Sequence, residues 1–162
     1  MSRTPAQSVT LHVATDHAGL SLKDAVKEWL LSEGFTVVDH GALTLQSEDD
    51  FTDYISKVAK AVSRDPYRNK AIVFGGSGQG EAMMANRFKR VRAAVFYGGN
   101  EDIVPLSRQH NDANVLSLAA RFVDEATAKR VIWTWLHTGP APEHKYQRRN
   151  RELDSLSRFT WL

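Results

Sequence analysis

Six residues, Gly75–Gly80 (GGSGQG), separate a short apolar run from a stretch of helix formers, and they constrain the fold more than any other segment. Lys70–Phe74 ahead of them is short, apolar and β-rich, the pattern of a strand buried on both faces of a parallel sheet. The four glycines at 75, 76, 78 and 80 then permit positive φ and close backbone approach to a ligand. Residues 81–88 are mostly good helix formers, so the turn is predicted to end at a helix N-terminus, where free N–H groups and the helix dipole attract anions. On shape alone, the turn suits either an anion cradle or a purely structural role.

Three familiar motifs fail here on spacing. The dinucleotide pattern G-x-G-x-x-G started at Gly76 finds Gly78 but needs glycine where Glu81 stands. A P-loop needs lysine after its last glycine, and Gly80 is followed by the same Glu81. The hydrolase elbow G-x-S-x-G fits Gly75 and Ser77 and then meets Gln79. A carboxylate directly after a ring of backbone donors leaves Glu81 as a candidate base.

Strand and helix signals alternate along the rest of the chain. Residues 9–14, 36–38, 70–74, 92–96 and 115–118 read as strands, and residues 20–32, 53–63, 81–88, 101–109, 124–137 and 143–158 as helices. Pro105 falls in the opening turns of its helix, where it is best tolerated. The expected fold is α/β: one Rossmann-like, doubly wound, five-stranded parallel sheet with helices on both faces, plus a C-terminal helical arm over about 140–162. Ligands bind such sheets outside the carboxyl ends of the strands, which nominates Asp16 and His17, the glycine turn, Tyr97 and Gly98, and Arg121. The polar, acidic stretch 41–52 reads as a mobile loop over a site.

At 162 residues the chain has the length of a single domain, which buries roughly 70% of its unfolded surface. It has no cysteine, which excludes disulfides, thiolate zinc sites and cysteine nucleophiles. No apolar run approaches the roughly 20 residues of a membrane span, and Met1–Ser8 is too short and polar for a signal peptide, so a soluble cytoplasmic protein is expected. A net charge of +2 and a pI near 9.0 are too mildly basic to argue for nucleic acid. Lys145, Arg148, Arg149 and Arg151 cluster after Pro140 and Pro142, as either a solvated basic helix or an anion clamp. Neither a nucleic-acid nor a membrane partner is expected.

Asp16 and His17 stand in TDHAGLSLK after the first strand, and the glycine turn in GGSGQGEAMMAN after the third. His110, Asn111 and Asp112 stand in SRQHNDANVL, and Arg121 in AAR. In this order and at these separations the segments resemble the type B ribose-5-phosphate isomerase family, which includes allose- and galactose-6-phosphate isomerases, over roughly residues 9–151. The resemblance implies aldose–ketose isomerisation of a phosphorylated sugar through a cis-enediolate, with no metal and no cofactor. Such chemistry needs one positioned base and donors for the enediolate oxygens.

Many members carry a cysteine base directly before the turn, where this chain has Gly75; another branch uses a glutamate at the end of the glycine run, which matches Glu81. The dipole of the following helix would keep Glu81 ionised and able to accept a proton. By the same resemblance Ser77 and the N–H groups around Gly76, Gly78 and Gly80 would hold the enediolate oxygens. His110 with Asp16 would open the sugar ring, a step that suits an imidazole titrating near neutrality, and Asn111 would bind sugar hydroxyls. Tyr54 and Phe51 fall near a tyrosine position that packs on the sugar in relatives.

Phosphate would be held by His17, Arg121 and the pair Lys145 and Arg149. Lys145 replaces the first of two family arginines, keeping the charge but losing the bidentate fork, and Tyr146 stands where a histidine usually follows. Ribose 5-phosphate is the leading substrate. Allose 6-phosphate, galactose 6-phosphate or a tetrose phosphate are alternatives, as is a non-catalytic sugar-phosphate-binding module. The resemblance further implies a homodimer, or a tetramer, whose site lies between subunits with the His110 equivalent crossing to the partner. Trp133, Trp135 and Trp161 are candidate interface anchors, although Trp133 and Trp135, two apart, cannot share a helix face.

Overall fold

The computed structural model describes residues 8–156. Five strands, β1 (Thr10–Thr15), β2 (Thr36–Asp39), β3 (Asn69–Gly75), β4 (Ala93–Phe96) and β5 (Val115–Ala119), form one sheet in the order β2-β1-β3-β5-β4. All neighbouring pairs are parallel. The helices between and after them are α1 (Leu20–Ser32), α2 (Phe51–Arg64), α3 (Gln79–Ala85), α4 (Ile103–Asn111), α5 (Glu125–His137) and α6 (His144–Leu156).

The apolar runs become strands because both faces of the sheet are covered. On one face Leu11, Val13, Ile72, Phe74, Leu116 and Leu118 pack with Val26 and Leu30 of α1, Val104 of α4, and Ile132 and Trp135 of α5. The alternate residues Ala14, Ala71, Val73 and Val115 meet Ile55, Val58 and Val62 of α2 and Ala85 of α3. Each fully buried aliphatic side chain of this kind contributes about 1.5–3 kcal/mol relative to an exposed one. The doubly wound, two-faced architecture expected from the sequence is therefore present.

Two boundary differences bear on the site. The helix predicted over 81–88 starts earlier, at Gln79 inside the glycine run, so Gly80 and Glu81 lie in its first turn. The helix predicted to end at 109 continues to Asn111, making His110 and Asn111 part of α4. The described part of the last helix is His144–Leu156, and Arg158 and Trp161 lie outside the described residues. Trp135 is wholly buried in the core, whereas Trp133 is partly exposed, as their spacing requires.

The winding places the candidate residues at two edges of the sheet. Segments that follow β1, β3 and β5 emerge at the carboxyl edge. The chain returns along α4 to begin β5, so the C-terminal end of α4 lies at the amino edge. There Arg92, just before β4, donates its Nε–H to the Asn111 carbonyl at 2.9 Å.

Candidate active site

At the carboxyl edge, Asp16, His17, Gly76, Ser77, Gly80, Glu81 and Arg121 line one open cleft of about 440 Å³, walled also by Ala18, Phe51 and Phe122. The turn is shaped by two glycines in particular. Gly78 has φ +73°, and a side chain there would press on Ser117 and the β5 backbone. Gly75 is needed for space: a Cβ built on it would overlap the Glu81 carboxylate. The carboxylate thus fills the volume that a side chain at position 75 would occupy. The Arg121 guanidinium lies flat against Gly76, with its Cζ 3.3 Å from where a Cβ would be.

Backbone bonds fix this wall. The N–H of Ala120 donates to Gly75 O at 2.8 Å, that of Arg121 to Gly76 O at 3.2 Å, and the Ser117 hydroxyl to Gly78 O at 2.6 Å. Ser77 Oγ accepts only a long 3.4 Å bond from the N–H of Gln79, which leaves the hydroxyl free to serve a ligand. N–H groups in the first turn of α3 have no acceptor within the helix.

Glu81 is 4% exposed. Burial pushes its carboxyl above the ordinary range; a bond from its own backbone N–H opposes this, and the charge of Asp16 adds to it. The dipole of the following helix favours the ionised form of Glu81, and burial acts against it, so the carboxyl holds a proton more tightly than an exposed one does. A raised proton affinity makes it a stronger base.

Asp16 caps the short turn His17–Gly19, its Oδ1 accepting from the N–H of Ala18 at 2.9 Å. Its other oxygen lies 3.9 Å from His17 Nδ1. The sequence reading missed Asp49, whose Oδ1 accepts from the His17 backbone N–H at 3.0 Å and meets His17 Nδ1 at 2.7 Å. Its only signal was membership of the acidic run Glu48–Asp50. The hydrogen bond to Asp49 raises the proton affinity of His17, the charges of Asp16 and Asp49 add to this, and partial burial and Arg121 oppose it. Asp16, His17 and Asp49 each place one ligand-type atom within 4.8 Å of the others, but the His17 and Asp49 atoms are already joined by their hydrogen bond.

The segment read as a mobile loop is tied at both ends. The N–H of Thr15 donates to Gly41 O at 2.8 Å, and that of Ala42 to Thr15 O at 2.7 Å. The wholly buried Lys23 spans Asp39, at 2.8 Å, and the Ala42 carbonyl, at 2.6 Å. Asp49 secures the far end, leaving residues 43–48 exposed. Phe51, rather than Tyr54, stands in the cleft wall, its ring against Gly80. Tyr97 does not line the cleft.

The other candidates gather at the amino edge. The His110 ring stacks on Tyr146 with centroids 4.3 Å apart and planes at 15°. Lys145 Nζ lies 4.8 Å from the same Tyr146 ring, and Lys145 and Arg149 are exposed on α6. Asn111 lines a separate cavity with Arg92 and Asp154. Within one chain, then, His17 and Arg121 join Glu81, whereas His110, Asn111, Lys145 and Arg149 do not.

A parallel α/β sheet with a buried carboxylate, a hydroxyl, an imidazole and a guanidinium beyond its carboxyl edge defines a small-molecule acid–base site of the doubly wound class. The Ribose/Galactose Isomerase family model matches residues 11–153, and the chain belongs to that family. The probable ribose-5-phosphate isomerase B of Mycoplasma genitalium is 33% identical over 152 residues, covering 94% of this chain and 96% of that protein. A crystal structure of that organism's enzyme with bound ribulose-5-phosphate superposes with a TM-score of 0.88 at 32% identity, covering 95% of this chain and 99% of that one. The Thermotoga maritima ribose 5-phosphate isomerase structure gives 0.83 at 34% identity, covering 91% and 98%.

Proposed function

We propose that the chain interconverts ribose 5-phosphate and ribulose 5-phosphate with Glu81 as the proton shuttle. The observation that carries this reading is the Glu81 carboxylate, buried in the space vacated by Gly75 and facing the same cleft as Ser77, His17 and Arg121. Glu81 removes the proton from C2 of the open aldose and returns it to C1 of the cis-enediolate, while the proton of the C2 hydroxyl passes to the C1 oxygen, which leaves the carbonyl at C2. The Ser77 hydroxyl and the N–H groups of the glycine turn stabilise the two enediolate oxygens as charge develops on them. His17 and Arg121 hold the phosphate.

Ring opening must come first: one group takes the proton of the anomeric hydroxyl while another protonates the ring oxygen. His110 and Asp16 fill these roles, and they lie at opposite edges of one chain. The site is therefore completed in a homodimer, where the partner presents His110, Asn111, Lys145 and Arg149 over the cleft. The chemistry draws on no metal or cofactor.

Glu81→Gln keeps the shape and removes the base. It should lower kcat by about a thousandfold, the scale of a lost general base, while substrate-analogue binding stays measurable. Turnover close to that of the parent would sink the assignment of Glu81. Because Lys145 offers the phosphate a point charge rather than a fork, a longer or shorter sugar is a second reading. Comparing kcat/KM for ribose, allose, galactose and erythrose phosphates decides between them.

A further inference from the structure

We propose that Asp49 is a positioning residue for phosphate binding: it holds His17 as a cation with Nε2–H turned to the cleft. This rests on the reading of His17 as a phosphate ligand, and it assigns a role to a loop residue that no catalytic argument has used.

One oxygen, Asp49 Oδ1, receives both the backbone N–H of His17 and its ring Nδ1. The two bonds fix the ring's position relative to its own backbone. The carboxylate that makes them is only 4% exposed, on a segment anchored at Gly41–Ala42 and by α2 behind it. Since a carboxylate only accepts, Nδ1 must carry a hydrogen. In a neutral imidazole with hydrogen on Nδ1, Nε2 is a bare acceptor, which would repel a phosphate oxygen. Binding phosphate therefore requires the imidazolium, and a full negative charge 2.7 Å behind the ring favours that form.

The charged groups around this pair act as follows. Asp16 lies 3.9 Å from His17 Nδ1 and supports the cation, while Arg121 across the cleft opposes it. Tyr54, one turn into α2, neighbours the Asp49 carboxylate, whose buried Oδ2 has no hydrogen-bond partner among the described residues. Burial alone would favour protonation of Asp49, but its bonds from the His17 ring and backbone outweigh that and keep the carboxylate ionised.

Asp49→Asn separates shape from charge, because its amide oxygen can still accept both hydrogen bonds. The variant should fold with near-parental thermal stability. Without ligand, the His17 ring, followed by nitrogen-detected NMR, should titrate at lower pH than in the parent. KM for ribose 5-phosphate and the inhibition constant of inorganic phosphate should rise about tenfold near pH 8 and converge on the parent values near pH 5.5, with kcat changed far less. An unchanged His17 titration overturns the proposal. So does a lowered titration with unaltered phosphate inhibition. Failure of the isomerase reading shows separately, as absence of turnover in the parent protein before any substitution is made.

Discussion

Glu81 and His110 sit at opposite edges of the same sheet, and their surroundings differ in kind. Glu81 is buried beneath a glycine turn stitched to β5 by three backbone-acceptor bonds, and the ring of its neighbour His17 is pinned from behind by Asp49. His110 has a stacking contact with Tyr146 of α6, a helix with no buried residue. The first arrangement is preorganised by its own chain. The second is a surface whose working geometry is set by whatever packs on it, and in the proposed dimer that is the cleft of the other copy.

Mixing two inactive variants tests that division and carries the largest effect. Glu81→Gln breaks one edge and His110→Ala the other, so each homodimer lacks something at both sites. Random reassociation puts about half the chains into mixed dimers with one intact site each, so activity should return to about one quarter of the parent's. If the mixture stays as inactive as its components, the two edges do not meet across a subunit boundary.

Gly75→Ala perturbs the preorganised edge alone. Its methyl group would overlap the Glu81 carboxylate, which must swing away from the reacting carbon, and a displacement of about 1 Å costs on the order of a hundredfold in kcat. Gly139, between α5 and α6, has open space where a Cβ would stand. Gly139→Ala should stay within about twofold of the parent, as surface substitutions do. Equal losses in the two variants would remove the spatial argument for Gly75.

The fold was legible because strand and helix periodicities agree with burial: alternate residues of β3 and β5 feed the two cores, and the α1 boundaries match the predicted residues. The glycine turn was legible because its conformation and close contacts exclude most other residues. Glu81 could be located from the resemblance, but its proton affinity could not, since a dipole argument applied to sequence does not register the water lost in folding. Asp49 was invisible for a related reason. It looks like Glu48 and Asp50 until the chain closes on His17, and only then does one carboxylate of the three acquire a partner. That His110 and Glu81 leave the sheet at opposite edges follows from the parallel winding, since His110 closes the helix that leads back into β5. The strand-end rule nominates only the carboxyl edge, however, and the sequence does not say what packs on the other.

The smallest expected effect concerns how the preorganised edge responds to acid. His12 on β1 contacts His40 at 2.8 Å through Nδ1 and the Asn69 side-chain oxygen at 3.2 Å through Nε2. The Asn69 oxygen accepts the Nε2 hydrogen, so His12 Nδ1 accepts from His40, and a proton added to Nδ1 would set two N–H groups against each other. Burial, the largest cause, lowers the proton affinity of both rings; the Asn69 bond opposes this for His12, and the charge of a protonated His12 adds to it for His40. Their contribution to stability is therefore complete above the ordinary histidine value of 6.5 and is lost as pH falls below it, since the unfolded chain then binds protons that the folded one refuses. His17 and Glu81, both shifted upward, act in the opposite sense. Whole-protein stability mixes these signs, so the comparison must isolate the pair. The stability advantage of the parent over His12→Gln, from denaturant unfolding, should shrink steadily between about pH 7 and about pH 5. Over the same interval amide protection, taken relative to the intrinsic exchange rate at each pH, should fall in residues 39–50, next to His40, before it does in α4. An advantage that stays constant, or protection that is lost first at the amino edge, would mean that the pair does not secure the loop that carries Asp49 to the cleft.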